Sequence, residues 1–208
     1  MTSARFDQFI RSLEAAARRE GLSEWDLRLK GSSAEFFSGY HKKMVWTRSE
    51  VLEIFRGERD RLPESEELDE ILCALEQAWP TTTRPTRRPF DALYVARISE
   101  EPSDYDLQVS SDEIVDRARS KIAELGESPA DVTVMSATYN FVRKDIIDDV
   151  CPFLRLWAIK QTSIHRRLVT IAVFPSAGPP NRVSTVGPLS SHFRQTDWRL
   201  LELEADLL

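Results

Sequence analysis

Ser103-Asp104-Tyr105-Asp106-Leu107-Gln108-Val109 alternates polar with apolar residues. On a strand, successive side chains point to opposite faces, so Asp104 and Asp106 share one face while Tyr105, Leu107 and Val109 share the other. Two carboxylates side by side on a rigid strand repel each other unless a cation sits between them. A hard divalent ion, Mg²⁺ or Mn²⁺, meets that need, because such an ion takes a few carboxylate oxygens together with substrate phosphates. Asp-x-Asp also arises on strand faces that simply stay in water, so its meaning depends on what accompanies it. Far upstream stands Leu27-Arg28-Leu29-Lys30-Gly31-Ser32-Ser33-Ala34, a short run that ends in a Gly-Ser-Ser turn. There backbone N–H groups can approach a phosphate closely.

Together the two stretches resemble nucleotidyltransferases of the polymerase-β type, which carry a strand ending in Gly-Ser, a short helix, and a second strand with Asp-x-Asp. Ser103, just before the first Asp, fits as well. The family sets the two halves close together, whereas here they begin at positions 31 and 104, so the resemblance implies an insertion. It implies an α/β (α+β) fold, a mixed β-sheet flanked by helices, and metal-dependent transfer of a nucleotide from a nucleoside triphosphate to a protein, RNA or small-molecule acceptor. Asp104 and Asp106 would hold Mg²⁺ or Mn²⁺, and Gly31, Ser32 and Ser33 would meet the β- and γ-phosphates. Two metal ions on acidic side chains can stabilise both the attacking and the leaving oxygen of an in-line displacement. A third carboxylate from a neighbouring strand often completes such a site. Asp131, which precedes the next expected strand, is the first candidate and Asp91 the second. Small stand-alone members of the superfamily include antibiotic-modifying enzymes and toxins of toxin–antitoxin pairs, so a toxin or defence role enters by resemblance. Two alternatives stay open: a catalytically inactive module that keeps the fold, nucleotide binding or a protein partner, and a metal-dependent phosphoesterase using the same acids.

The 208 residues, 41% hydrophobic and 30% charged, describe an ordinary soluble domain with room for an appendage. The whole chain is expected to be one such domain, with a helical insertion at about 41–89. A net charge of −6 argues against a broad electrostatic footprint for nucleic acid. Met1 to Glu20 is charged and amphipathic, and no apolar run approaches membrane-spanning length, so the expectation is no membrane and a cytoplasmic location. Cys73 and Cys151 are too few and too far apart for a disulfide framework or a zinc site, and His41, His165 and His192 lack metal-ligand spacing.

Outward from the two motifs, the periodicity predicts a helix over residues 3–20, ended by Gly21, and a strand over 25–30. A short helix is expected from Ala34 to Tyr40. Thr47 and Glu50 form a capping-box signature that opens a helix to Gly57, and a second helix runs from Ser65 to Trp79 between Pro63 and Pro80. Phe90 to Ile98 reads as a strand forming a hairpin with 104–110. A helix follows from Ser111 to about Leu125, then a short strand from Asp131 to Met135 that neighbours the Asp-x-Asp strand. Arg143 to Lys160 is helical with a kink or break at Pro152. Leu168 to Phe174 is a strand assigned to the sheet interior, Pro175 to Pro188 a loop, and Phe193 to Leu203 a last strand or short helix.

Overall fold

The computed structural model describes residues 3–39, 41–137, 141–176, 183–184, 187–188 and 198–203. The protein is mixed α/β, with a four-stranded mixed sheet and helices. It divides into two compact units, Met1–Lys30 with Tyr105–Leu208, and Gly31–Asp104. The second unit is thus broader than the expected 41–89 insertion. It starts at the Gly-Ser-Ser turn and ends at the first Asp of Asp-x-Asp.

In the sheet unit, α1 (Ser3–Arg19) buries Phe9, Leu13, Ala16 and Ala17, and Gly21 ends it at φ +69°. Arg117 donates to the Glu20 and Gly21 carbonyls, satisfying acceptors that the helix end leaves open. Strand β1 (Trp25–Lys30) pairs antiparallel with β2 (Tyr105–Ser110), with Lys30 opposite Asp106 and Leu29 opposite Leu107. Strand β3 (Val169–Phe174) runs parallel to β2, and a later strand, Trp198–Leu203, pairs antiparallel with β1. The order places β3 at an edge of this sheet rather than in its interior. Its burial shows the same thing: Val169, Val173 and Phe174 are buried while the residues between them are half-buried.

The parallel β2–β3 pair requires a crossover, and four helices supply it. They are α6 (Asp112–Glu124), α7 (Asp131–Val134), α8 (Lys144–Val150) and α9 (Pro152–His165). The break expected at Pro152 is therefore realised as two helices, with proline at the first helical position, where its missing N–H costs nothing. Leu154 N–H, three residues into α9, donates to the buried Glu20 carboxylate at 2.9 Å. The strand expected over Asp131–Met135 is instead the helical turn α7. Met135 makes an isolated bridge to Val142, which donates to the Val173 carbonyl. β3 takes the position beside β2.

The second unit contains α2 (Gly31–Glu35), α3 (Arg48–Arg59), α4 (Ser65–Ala78) and α5 (Ala92–Val95). The capping box of Thr47 and Glu50 is present as read from the sequence, and backbone N–H groups of Trp46 and Thr47 hold the Glu50 carboxyl below its usual range. Val51, Phe55, Leu68, Ile71, Leu75, Ala92, Ala96 and Ile98 form the apolar core. The expected strand over Phe90–Ile98 is absent. Asp91 takes a left-handed conformation at φ 64° and opens α5, so no hairpin with β2 forms. The short helix expected at Ala34–Tyr40 comes earlier, as α2, and Phe37 and Lys43 instead bridge to Pro89 and Arg87. Of the loop expected at 175–188, Val183–Ser184 and Gly187–Pro188 pair as a small ladder. The remainder after residue 176 and residues 193–197 lie outside the described residues. No helix among the described residues is long and apolar enough to cross a membrane.

Candidate functional site

The alternation of β2 sorts its side chains onto two faces. Tyr105, Leu107 and Val109 join Leu27, Leu29 and Val173 on the apolar face, where Phe9 of α1 and His165 of α9 meet the Tyr105 ring at 6.2 and 5.9 Å. Asp106, Gln108 and Ser110 lie on the opposite face with their ladder partners Lys30, Arg28 and Asp26. This face is polar yet largely closed to water, since Lys30 is 7% exposed, Gln108 0% and Ser110 1%. Its groups satisfy one another, as buried polar groups must. Lys30 Nζ donates to Gln108 Oε1 at 2.6 Å, and the Gln108 amide donates to Ser110 Oγ at 3.0 Å. Asp26 accepts from Arg28 at 2.6 and 2.9 Å and from Arg199 at 2.9 Å. From β3, the Thr170 hydroxyl donates to Asp106 Oδ1 at 2.8 Å.

Asp106 is therefore the acid that the sheet fixes. Asp104 stands one residue ahead of β2, with no ladder partner to orient it, and its side chain has no hydrogen-bond or ion-pair partner among the described residues. Gly31 follows Lys30 directly and has φ +66°, a conformation that favours glycine. Ser32 and Ser33 lie within α2, and Ser33 is buried. The ladder pair Lys30–Asp106 is thus what connects the two motifs. The chain leaves β1 into Gly31 from Lys30, and Lys30 stands opposite Asp106, the second acid of the motif.

Both candidate third carboxylates have partners of their own. Asp131 is on α7, pairs with Arg119 of α6 at 3.1 Å and is 72% exposed at its side chain. It precedes Met135, whose bridge partner Val142 meets β3 at Val173, whereas Asp106 meets β3 at Thr170. Asp91 and Ser103 bind each other reciprocally: Ser103 N–H donates to Asp91 Oδ1 at 2.8 Å, and Asp91 N–H donates to Ser103 Oγ at 3.3 Å. The serine ahead of Asp-x-Asp thus has a local structural role, fixing the turn into β2.

For a divalent cation, the donor chemistry on this face is limited. Asp106 is flanked in the sheet by an ammonium-bearing residue on one side and a hydroxyl donor on the other. Among the described residues no group of three or more His, Cys, Asp or Glu could hold a metal ion. This set offers a divalent ion one sheet-fixed carboxylate, Asp106, with a lysine as its ladder partner. It does not suit a pair of ions, each of which needs its own carboxylates. Cysteine chemistry is remote, because Cys151 is buried and burial pushes its thiol up to about 12.

Lys30, Gln108 and Thr170 were not singled out from the sequence. Gln108 and Thr170 are polar residues at inward positions of strands, a signal that alternation makes visible only once the strand faces are assigned. No family model, curated protein or solved structure matches the chain.

Proposed function

We propose that the chain is a metal-dependent nucleotidyltransferase, moving a nucleotide from a nucleoside triphosphate to a protein, RNA or small-molecule acceptor. The observation that carries this reading is the Lys30–Asp106 ladder pair. Through it a strand running into Gly-Ser and a strand carrying the second acid of Asp-x-Asp become antiparallel neighbours, although the motifs stand far apart in sequence. The crossover from β2 to a parallel β3 adds the neighbouring strand on the other side.

In the reaction, an acceptor hydroxyl attacks the α-phosphorus, the bond to the bridging oxygen breaks, pyrophosphate leaves and the hydroxyl proton passes to water. Asp104 and Asp106 are the residues that would hold Mg²⁺ or Mn²⁺, whose role is to offset charge on the phosphate oxygens. Gly31, Ser32 and Ser33 are assigned to the β- and γ-phosphates. Thr170 keeps the Asp106 carboxylate oriented through its hydroxyl. Asp131 pairs with Arg119 and Asp91 accepts from the Ser103 N–H, so no third carboxylate is assigned in this reading. A toxin or defence setting agrees with this chemistry and rests on the resemblance alone.

The second reading is a catalytically inactive module of the same fold that keeps nucleotide or protein binding. Thr170 favours it, because the β3 residue opposite Asp106 is not an acid. Calorimetric titration of each nucleoside triphosphate with Mg²⁺, on wild type and Asp106→Asn, tests the first reading. Binding that needs both the metal and Asp106 is expected. Absence of binding by the wild type overturns it. Binding without transfer to any acceptor fraction, followed with α-phosphate-labelled nucleotide, selects the second reading.

A further inference from the structure

Two stretches without a single acid, residues 36–49 and 77–90, stand far apart in the sequence, and the Gly31–Asp104 unit pairs them. Phe37 bridges to Pro89 and Lys43 to Arg87. The Ser38, Met44 and Phe90 N–H groups donate to the Arg88, Thr86 and Phe36 carbonyls at 2.7, 3.2 and 2.8 Å, and Arg88 N–H donates to the Lys42 carbonyl at 3.1 Å. The resulting ribbon gathers Lys42, Lys43, Arg84, Arg87 and Arg88 in a chain whose net charge is −6. Arg84 and Arg87 are matched by acids from outside both stretches, Glu76 and Glu35. Lys42 and Lys43 are exposed, and their ammonium groups have no hydrogen-bond or ion-pair partner among the described residues. Arg88 is half-buried, yet its guanidinium also has no such partner among them, and its Nε is shut in without a hydrogen bond. Burial lowers its pKa, with the Glu58 charge acting the other way. A guanidinium drawn partly out of water is ordinarily met by acceptors, and here the terminal nitrogens are left to meet one from outside. The same ribbon exposes two rings, Phe36 at 57% and Phe37 at 37%. Phe36 has φ 60°, a left-handed conformation that costs a bulky residue.

We propose that this ribbon binds single-stranded nucleic acid, with Lys42, Lys43 and Arg88 meeting backbone phosphates and Phe36 and Phe37 stacking on bases. The terminal nitrogens of a guanidinium fork two oxygens of one phosphate, and lysines add point charges beside it. Exposed rings next to cations suit unpaired bases, each of which offers a flat face whatever its identity. A duplex keeps those faces stacked inside. A ribbon of this size is a local site, in keeping with a chain that is acidic as a whole. None of these residues takes part in the proposed nucleotidyl transfer, so the site holds or fails apart from that reading.

Fluorescence anisotropy of labelled oligouridylate and oligothymidylate on the full chain, beside a duplex of the same length, makes the test. The wild type is expected to bind single strands more tightly than the duplex, and the tighter of the two strands names RNA or DNA as the source. Log affinity should fall against log salt with a slope of about −2, since each of the three neutralised phosphates releases roughly 0.7 counterion. Arg88→Met is expected to weaken binding about tenfold, as loss of a hydrogen bond to a charged group does. Lys42→Met/Lys43→Met should bring the slope to about −0.7. Phe36→Ala should weaken binding about tenfold with the slope unchanged, as loss of stacking does. Arg88→Met leaves no bonded acid behind and the two lysines are exposed, so these variants are expected to fold, with thermal melting as the control. Should Arg88→Met not fold, the lysine pair carries the test. No single-strand binding by the wild type, equal or tighter binding of the duplex, or an unchanged slope in the lysine variant overturns the inference and leaves the proposed function standing.

Discussion

The sheet unit and the Gly31–Asp104 unit bury different things. In the second, the cluster around Phe55, Ile71 and Ile98 is apolar throughout, and Ser33 is its one buried polar residue among the described ones. In the sheet unit, Glu20, Lys30, Gln108, Ser110, Ser111 and Gln161 are all buried beside an apolar core of ordinary kind. Apolar packing raises stability in proportion to the area removed from water. A buried polar chain contributes only what its hydrogen bonds return beyond the cost of leaving water. The line of polar groups from Ser110 through Gln108 to Lys30 ends opposite Asp106. The helical unit carries no such line.

The sharpest way to break this contrast is Phe55→Ala. Phe55 is fully buried, so truncation is expected to destabilise by about 3–5 kcal/mol, read from the urea midpoint. A midpoint near wild type refutes the assignment of this core. Next comes Gln108→Leu, which removes the oxygen that Lys30 Nζ donates to. A loss of about 1–3 kcal/mol is expected, and Lys30→Met added to it should recover part of that loss, since replacing both partners by apolar groups is far cheaper than removing one. A double variant less stable than Gln108→Leu alone would show that the pair is not an isolated polar unit. Smaller again is Thr47→Ala, which deletes the cap of α3 and should cost about 1 kcal/mol, a shift visible in thermal melting.

The smallest effect expected is one of pH. Burial first, then the Arg167 and Arg5 cations, lowers the His165 imidazole below its usual 6.5. A depressed folded-state value means the neutral ring is favoured in the native protein. The contribution is complete above 6.5 and is lost as pH falls through the lowered value. Stability should therefore decline on acidification through this window, and His165→Phe should flatten that part of the profile. An identical profile in the variant assigns the acid sensitivity elsewhere.

Local structure was legible wherever one signal acted within a few residues. The apolar spacing of Phe9, Leu13 and Ala17 defined α1, and Thr47 with Glu50 defined the start of α3. Trp25–Lys30 and Asp104–Ser110 read as strands from alternation, and the second begins one residue later, at Tyr105. Phe90–Ile98 misled because aromatic and β-branched content describes a half-buried surface rather than a backbone preference. There the Asp91–Ser103 exchange of hydrogen bonds and the left-handed Asp91 committed the chain to a helical turn. The strand expected over Asp131–Met135 failed as well: the Thr133 and Val134 N–H groups donate to the Ala130 carbonyl and Met135 N–H to that of Asp131, closing a helical turn.

The sequence by itself determined the two-faced character of the Asp106 strand and the helices with clear caps. Each of these depends on side-chain period or on a contact within one turn of the chain. Only the tertiary structure decided that Lys30 stands opposite Asp106, that Thr170 rather than an acid occupies the place beside it, and that Asp131 is held elsewhere by Arg119. Those facts are set by strand register and order, which join residues dozens of positions apart, and a shift of one residue in register would turn every side chain of the strand to its other face.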